Sequence, residues 1–322
     1  MLDLQFLGTS AGIPTKSRNV TALAVGQTAN KPWLLIDCGE ATQQQLLHTH
    51  WSANTLSAIC ITHVHGDHCY GLPGMLASAG LNKRTQPLTI IAPLPLWQWL
   101  EHTIALTDLF LSFELQFVDV TTLLEERFYV DDFEISAVAL SHRVPSYAYK
   151  IRHRREVRQL DRDALFAHGL PAGPLWGMLQ NGQDVYYEGR NYPASLYLEQ
   201  HEQRVCALIG GDNDSPSLLQ AACDGVQVLV HEATYTQDIA DKVGAFPMHS
   251  SAKQTAEFAY QAAIPNLVLT HFSARYGDAQ ALEPLLAEAK RYYHGHVHLA
   301  EDFAQYRLLP SGEFQPLTTR DA

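Results

Sequence analysis

Short apolar runs rich in β-branched and aromatic residues recur along the chain. They lie at 4–7, 21–25, Trp33–Ile36, 58–61, 88–91, 135–140, 147–151, 206–209, 226–230 and 267–269, and their length and composition predict strands. Helical spacing of apolar positions appears between many of them, over 41–49, 76–81, Leu94–Leu106, 251–263 and 279–293. Ser250 or Ser251 stands where a helix N-cap belongs, and Pro265 follows the predicted end of that helix. Strands alternating with helices predict an α/β chain with covered sheets. The strand-rich stretch 4–91 and the return of strands after Phe133 suit two sheets packed face to face with helices outside.

One stretch breaks the pattern. Residues 152–158 read Arg-His-Arg-Arg-Glu-Val-Arg, and 167–174 are rich in Gly and Pro. Residues 151–200 are therefore read as an insertion within a single domain spanning 1–322. Four arginines in seven residues favour an anion-binding role. A long ordered surface loop accounts for the same composition.

The 322 residues are many for one domain, but covered α/β sheets reach that length. With 46% hydrophobic and 17% charged residues the chain is globular. A net charge of −12 argues against a general nucleic-acid coat, though not against an enzyme with a local basic patch. The five cysteines form no C-x-x-C pair, which fits a reducing cytosol. The opening residues lack the pattern of a signal peptide, and no apolar run reaches the roughly 18 residues that span a bilayer. A soluble, cytoplasmic protein without membrane association is expected.

Sixteen histidines change the picture, because their placement is not random. His63-Val-His65-Gly-Asp67-His68 follows the strand at 58–61. Period two in an extended segment puts His63 and His65 on one side. Asp67 and His68 turn toward a second centre after Gly66. Three more candidates stand at the carboxyl ends of predicted strands, where sites of α/β sheets collect: His142, Asp212 and His271. His63, His65 and His142 suffice for one cation, and Asp67, His68 and His271 for another, with Asp212 bridging through its two oxygens. Nitrogen with carboxylate oxygen suits zinc. Two open metals about 3.5–4 Å apart would clamp an in-line displacement at phosphorus.

The H-x-H-x-D-H motif with later His, Asp and His resembles the metallo-β-lactamase superfamily. Other segments resemble one branch of it, the ribonuclease Z family in its short bacterial form. They are Phe6-Leu7-Gly8-Thr9-Ser10-Ala11-Gly12-Ile13-Pro14 with Arg18-Asn19, Asp37-Cys38-Gly39-Glu40-Ala41-Thr42-Gln43, and His231-Glu232-Ala233-Thr234. His249-Ser250-Ser251 and His271-Phe272-Ser273-Ala274-Arg275-Tyr276 complete the likeness. The stretch from Gly169 to Leu175, with Gly173-Pro174, resembles that family's tRNA-gripping arm. Two features depart from the family: Asp212 is followed by Asn213 in place of Thr, and the arm opens on Arg152-His153-Arg154-Arg155.

The resemblance implies a four-layer αβ/βα sandwich with an inserted tRNA-binding arm and two zinc ions per subunit. It implies hydrolysis of precursor tRNA, leaving a 3′-hydroxyl on the tRNA and a 5′-phosphate on the trailer. Asp67 is expected to orient the attacking water and accept its proton. His249, held by Glu232, is expected to protonate the leaving oxygen. Arg275, Arg154, Arg155, Gly173 and Pro174 are expected to contact RNA. Arg18 and Asn19 either contact RNA or stabilise a turn. The family also implies a homodimer in which one subunit's arm serves the other's site. Two readings compete: another hydrolase on this fold, such as a thioesterase or small-molecule phosphodiesterase, and a non-catalytic RNA-binding protein with a structural metal.

Overall fold

The structure is a computed structural model that describes residues 1–27, 31–278 and 280–317. It divides into two compact units, one of 1–153 with 205–322 and one of 154–204.

Two sheets build the first unit. One orders its strands Phe314–Pro316, Gln305–Leu308, Leu2–Gly8, Ala22–Gly26, Trp33–Ile36, Leu56–Cys60, Leu88–Ala92 and Leu115–Asp119. The other runs His296–Leu299, Asn266–Thr270, Val228–Glu232, Leu198–Ile209, Ser146–Leu160, Phe133–Leu140 and Phe128–Val130. Antiparallel pairing on one side of each sheet gives way to parallel pairing on the other.

Alternation along the strands sorts side chains into layers. Leu2, Leu4, Phe6, Leu34 and Ile36 from one sheet meet Phe133, Ile135, Tyr149, Ala207 and Val230 from the other in a central core. The opposite face of the first sheet, with Leu35, Ile59 and Ile90, packs against helices Leu72–Leu81 and Leu94–Leu106. That of the second, with Leu208, Leu229 and Leu267, packs against helices Ala252–Gln261 and Glu283–Tyr292. The strands read as continuous apolar runs because both of their faces are covered. Helix, sheet, sheet and helix make the four layers.

Local chemistry sets several boundaries. Ser251 caps the helix Ala252–Gln261 in a capping box with Gln254. The helix expected at 41–49 shrinks to Thr42–Leu46: Ala41 takes a left-handed backbone, and the N–H groups of Leu47, His48 and Thr49 bond three residues back in successive turns. The helix expected at 279–293 runs Glu283–Tyr292, and Ala279 lies outside the described residues. Strands Leu115–Asp119, His296–Leu299, Gln305–Leu308 and Phe314–Pro316 were not foreseen. They are short edge or near-edge strands whose polar residues break up any apolar run.

Residues 154–204 hold their own small core, formed by Leu160, Leu165, Leu170, Leu179, Val185, Tyr192, Ala194 and Tyr197. Asp161 caps the helix Arg162–Ala167 there.

Candidate metal centre

Every candidate ligand stands where a strand ends. The His63–His68 motif follows Leu56–Cys60, His142 follows Phe133–Leu140, Asp212 follows Leu198–Ile209, and His271 follows Asn266–Thr270. His65 is still extended and begins a one-turn helix, Gly66–Cys69, that swings Asp67 and His68 round. Two glycines permit the close approach this needs. A Cβ on Gly39 would sit 2.3 Å from the Asp67 carbonyl oxygen, and one on Gly211 would sit 2.6 Å from Thr62 Cβ.

The donor atoms converge in two sets, and a third grouping brings His249 to Asp212 and His271. In the first, His65 Nδ1 lies 3.1 Å from His63 Nε2 and 3.2 Å from His142 Nε2. Both Nε2 atoms lie 3.6 Å from Asp212 Oδ2. In the second, His68 Nε2 and His271 Nε2 are 3.3 Å apart, and Asp67 Oδ2 is 3.5 and 3.4 Å from them. Asp212 Oδ1 is 3.4 and 3.3 Å from the same two nitrogens. One carboxylate thus turns one oxygen to each set.

Ring nitrogens facing away from the sets are anchored. His68 Nδ1 lies 2.7 Å from Asp37 Oδ2, His271 Nδ1 lies 3.1 Å from Thr234 Oγ1, and His142 Nδ1 is 2.9 Å from the Met248 carbonyl oxygen. Asp37 also accepts from Thr62, at 2.7 Å from its backbone N–H and 2.9 Å from its hydroxyl. Such outer partners fix tautomer and ring orientation. Asp37, Thr62, Thr234 and Met248 were missed as site residues. The signal for Asp37 was its carboxylate just past the strand Trp33–Ile36.

The electrostatics suit a cation. Burial holds the His63, His65 and His142 imidazoles below their ordinary pKa, which keeps them neutral as ligands must be. Burial works against the charge of His68, but Asp212, Asp67 and Asp37 outweigh it and push that imidazole up. Burial likewise opposes ionisation of Asp67, and His68 and His271 overcome it, holding the carboxyl far below the usual range. A donor set of five imidazole nitrogens and two carboxylates fits paired divalent cations, for which converging nitrogens 3.3 Å apart are natural neighbours.

His249 lies against both sets, its ring 5.2 Å from that of His142 and 5.3 Å from that of His271. Its Nδ1 is 3.0 Å from Glu232 Oε1. Burial lowers its basicity, but the Glu232 carboxylate wins and raises the pKa to about 9. Glu232 is itself buried and accepts from the Asn213 backbone and, through its other oxygen, from the Thr234 hydroxyl. The Asn213 departure has a function here: its side-chain oxygen takes the Ser141 and Ser215 N–H groups, bracing the loops that carry His142 and Asp212.

The remaining sequence candidates fall elsewhere. Arg18 is buried, bonded to Thr9 and the Ala300 carbonyl, and Asn19 bonds Glu40 and Asp302, so both fix turns. Arg275 is exposed and lies 5.2 Å over the Tyr235 ring. The arginine run is less free than its composition suggests: Arg152 pairs with Glu134, Arg154 with Glu202 and Arg158 with Glu156. Arg155, Gly173 and Pro174 are exposed, with Pro174 opening the helix Pro174–Gln180. Within residues 154–204, Arg158, Arg162 and Trp176 help line an open cavity of about 670 Å³.

Two sheets face to face, flanked by helices, with a shared aspartate and an H-x-H-x-D-H loop at the strand ends, define a metallo-β-lactamase-fold hydrolase. Human tRNase Z, short form, has this architecture at a TM-score of 0.65 and 25% identity, covering 95% of this chain and 99% of that one. The metallo-β-lactamase fold protein YhfI from Bacillus subtilis shares the fold at a TM-score of 0.65 and 16% identity, over 94% and 98% of the two chains. A ribonuclease Z from Marinobacter nauticus is 48% identical over 313 residues, 95% of this chain and 96% of its own. A ribonuclease BN from Proteus mirabilis is 36% identical, over 95% and 100% of the two. The chain belongs to the ribonuclease Z family, and its first half, residues 2–163, also matches the family model described as Anti-Pycsar protein Apyc1.

Proposed function

We propose that this enzyme is a metal-dependent endoribonuclease that cuts precursor tRNA at its 3′ end and removes the trailer. The observation that carries the reading is Asp212, whose two oxygens serve two separate donor sets beside His249, itself tied to Glu232. Two zinc ions per subunit are the proposed cofactor: one held by His63, His65 and His142, the other by Asp67, His68 and His271, with Asp212 between. When bound, the pair supplies Lewis acidity for the phosphoryl oxygens and a water acidic enough to be a nucleophile near neutral pH.

The chain's own residues position the reaction. Asp67, fixed by the Gly12 N–H at 2.7 Å, orients the attacking water and is the proposed acceptor of its proton. Water oxygen adds to phosphorus as the bond to the 3′-oxygen breaks. His249, its Nδ1 tied to Glu232, donates from Nε2 to that leaving oxygen. The tRNA keeps a 3′-hydroxyl and the trailer a 5′-phosphate.

Arg275 is the proposed phosphate contact at the rim. Residues 154–204 are the proposed tRNA-binding arm, with Arg154, Arg155 and the Gly173-Pro174 turn as contacts. The arm is proposed to act across a homodimer, in the cytoplasm. No helix among the described residues is long and apolar enough to cross a membrane. The test is to map both new ends on a labelled precursor tRNA, before and after chelation. A 3′-hydroxyl and 5′-phosphate at one position, lost on chelation, support the proposal. Intact precursor beside rapid thioester hydrolysis would end it.

A further inference from the structure

Two cation–aromatic pairs lie near the centre, one of them beside His249. Arg275 lies over Tyr235, whose ring centroid is 6.2 Å from that of His249. Arg143 lies 5.5 Å from the ring centroid of Phe246. The second pair belongs to the His142 side of the centre. Arg143 adjoins His142 in the chain, and Phe246 is two residues from Met248, whose carbonyl holds His142 Nδ1.

The two aromatic rings differ in exposure. Tyr235 is half-buried, whereas Phe246 is 80% exposed. A phenylalanine ring left in water forgoes its hydrophobic stabilisation. This one is not on a loose loop: Gly244 N–H bonds Ala240 and Met248 N–H bonds Ala245. The ring is therefore held on the segment that leads to Met248 and His142, with a guanidinium against it and most of its surface open.

We propose that Phe246, backed by Arg143, is a stacking platform for a nucleobase next to the cleaved phosphodiester. This rests on the RNA-cleavage reading of the centre. A phosphate brought to His142, His249 and His271 lies in single-stranded RNA, whose flanking bases can splay out of the stack. Unstacked bases are taken up on exposed aromatic faces, and the contact tolerates any base because every base has a π-face. The Arg143 cation adds attraction to the ring and positive charge close to the incoming backbone.

The test uses the metal-loaded full chain, with precursor tRNA carrying either the natural base or an abasic nucleotide on each side of the cut bond. Phe246→Ala should raise KM for the natural substrate roughly 5- to 160-fold, the range for losing one base–aromatic stack. Phe246→Tyr should restore KM, and Phe246→Leu, which keeps apolar bulk without a π-face, should not. On the precursor that is abasic at the stacked position, wild type and Phe246→Ala should differ by less than twofold. A penalty that persists on both abasic precursors, or full rescue by leucine, overturns the platform. A wild-type enzyme that leaves natural precursor tRNA uncut defeats the parent reading instead.

Discussion

Asp37→Asn tests how the outer partners of the centre work. Asp37 Oδ2 lies 2.7 Å from His68 Nδ1, so the carboxylate accepts the Nδ1 proton and leaves Nε2 free to bind a cation. An amide of the same size keeps the acceptor for Thr62 N–H, which is bonded to Oδ1 at 2.7 Å. It then presents N–H to His68 and forces the proton onto Nε2, the atom that faces Asp212 and His271. Losing such a partner lowers metal affinity about 10- to 100-fold, or roughly 1.4–2.8 kcal/mol. The fold should survive, since the backbone bond from Thr62 is kept and the only other group affected is the Thr62 hydroxyl, which donates to Oδ2 at 2.9 Å and can rotate to accept from the amide. Competition against a chromogenic chelator measures the affinity, and thermal unfolding of the metal-free protein checks the fold. Metal affinity within twofold of wild type would refute the claim that Asp37 sets the His68 tautomer.

Other outcomes follow from the same geometry. If His249 is the acid, kcat should fall as pH rises through about 9, where it loses its proton, and Glu232→Gln should move that alkaline limb to lower pH because the strongest partner raising it is removed, leaving Asp212 alone against burial and His68. Gly211→Ala would place a methyl group 2.6 Å from Thr62 Cβ and 2.9 Å from Ser146 Oγ; a loss of about 1–3 kcal/mol by denaturant titration, with weakened metal binding, is expected. Asp67→Ala should lose cleavage by orders of magnitude while gel-shift affinity for tRNA survives. Arg154→Ala with Arg155→Ala should raise KM for precursor tRNA while sparing hydrolysis of bis-(p-nitrophenyl) phosphate, and equal losses on both would reject the arm's role.

The sheet layers were legible because strands covered on both faces leave unmistakable apolar runs, such as Trp33–Ile36 and Asn266–Thr270. The donor set was legible because its spacing is local in His63–His68 and because strand ends announce His142, Asp212 and His271. Asp37 was harder to assign: a lone aspartate after a strand carries no spacing, and its role exists only once His68 arrives from another segment 31 residues on. Carbonyl partners such as Met248 leave no trace in side-chain identity at all. The ion pairs of the arginine run were not legible, because charge pattern in one dimension does not reveal Glu134, Glu156 and Glu202 waiting as partners. Phe246 was invisible for the same reason, since exposure is a property of the folded surface.

The central claim is best tested by anomalous scattering from crystals of enzyme that cleaves precursor tRNA. Two metal peaks per chain are predicted, one among His63, His65 and His142 and one among Asp67, His68 and His271, with Asp212 touching both. A single peak, or none, in fully active crystals would contradict the account.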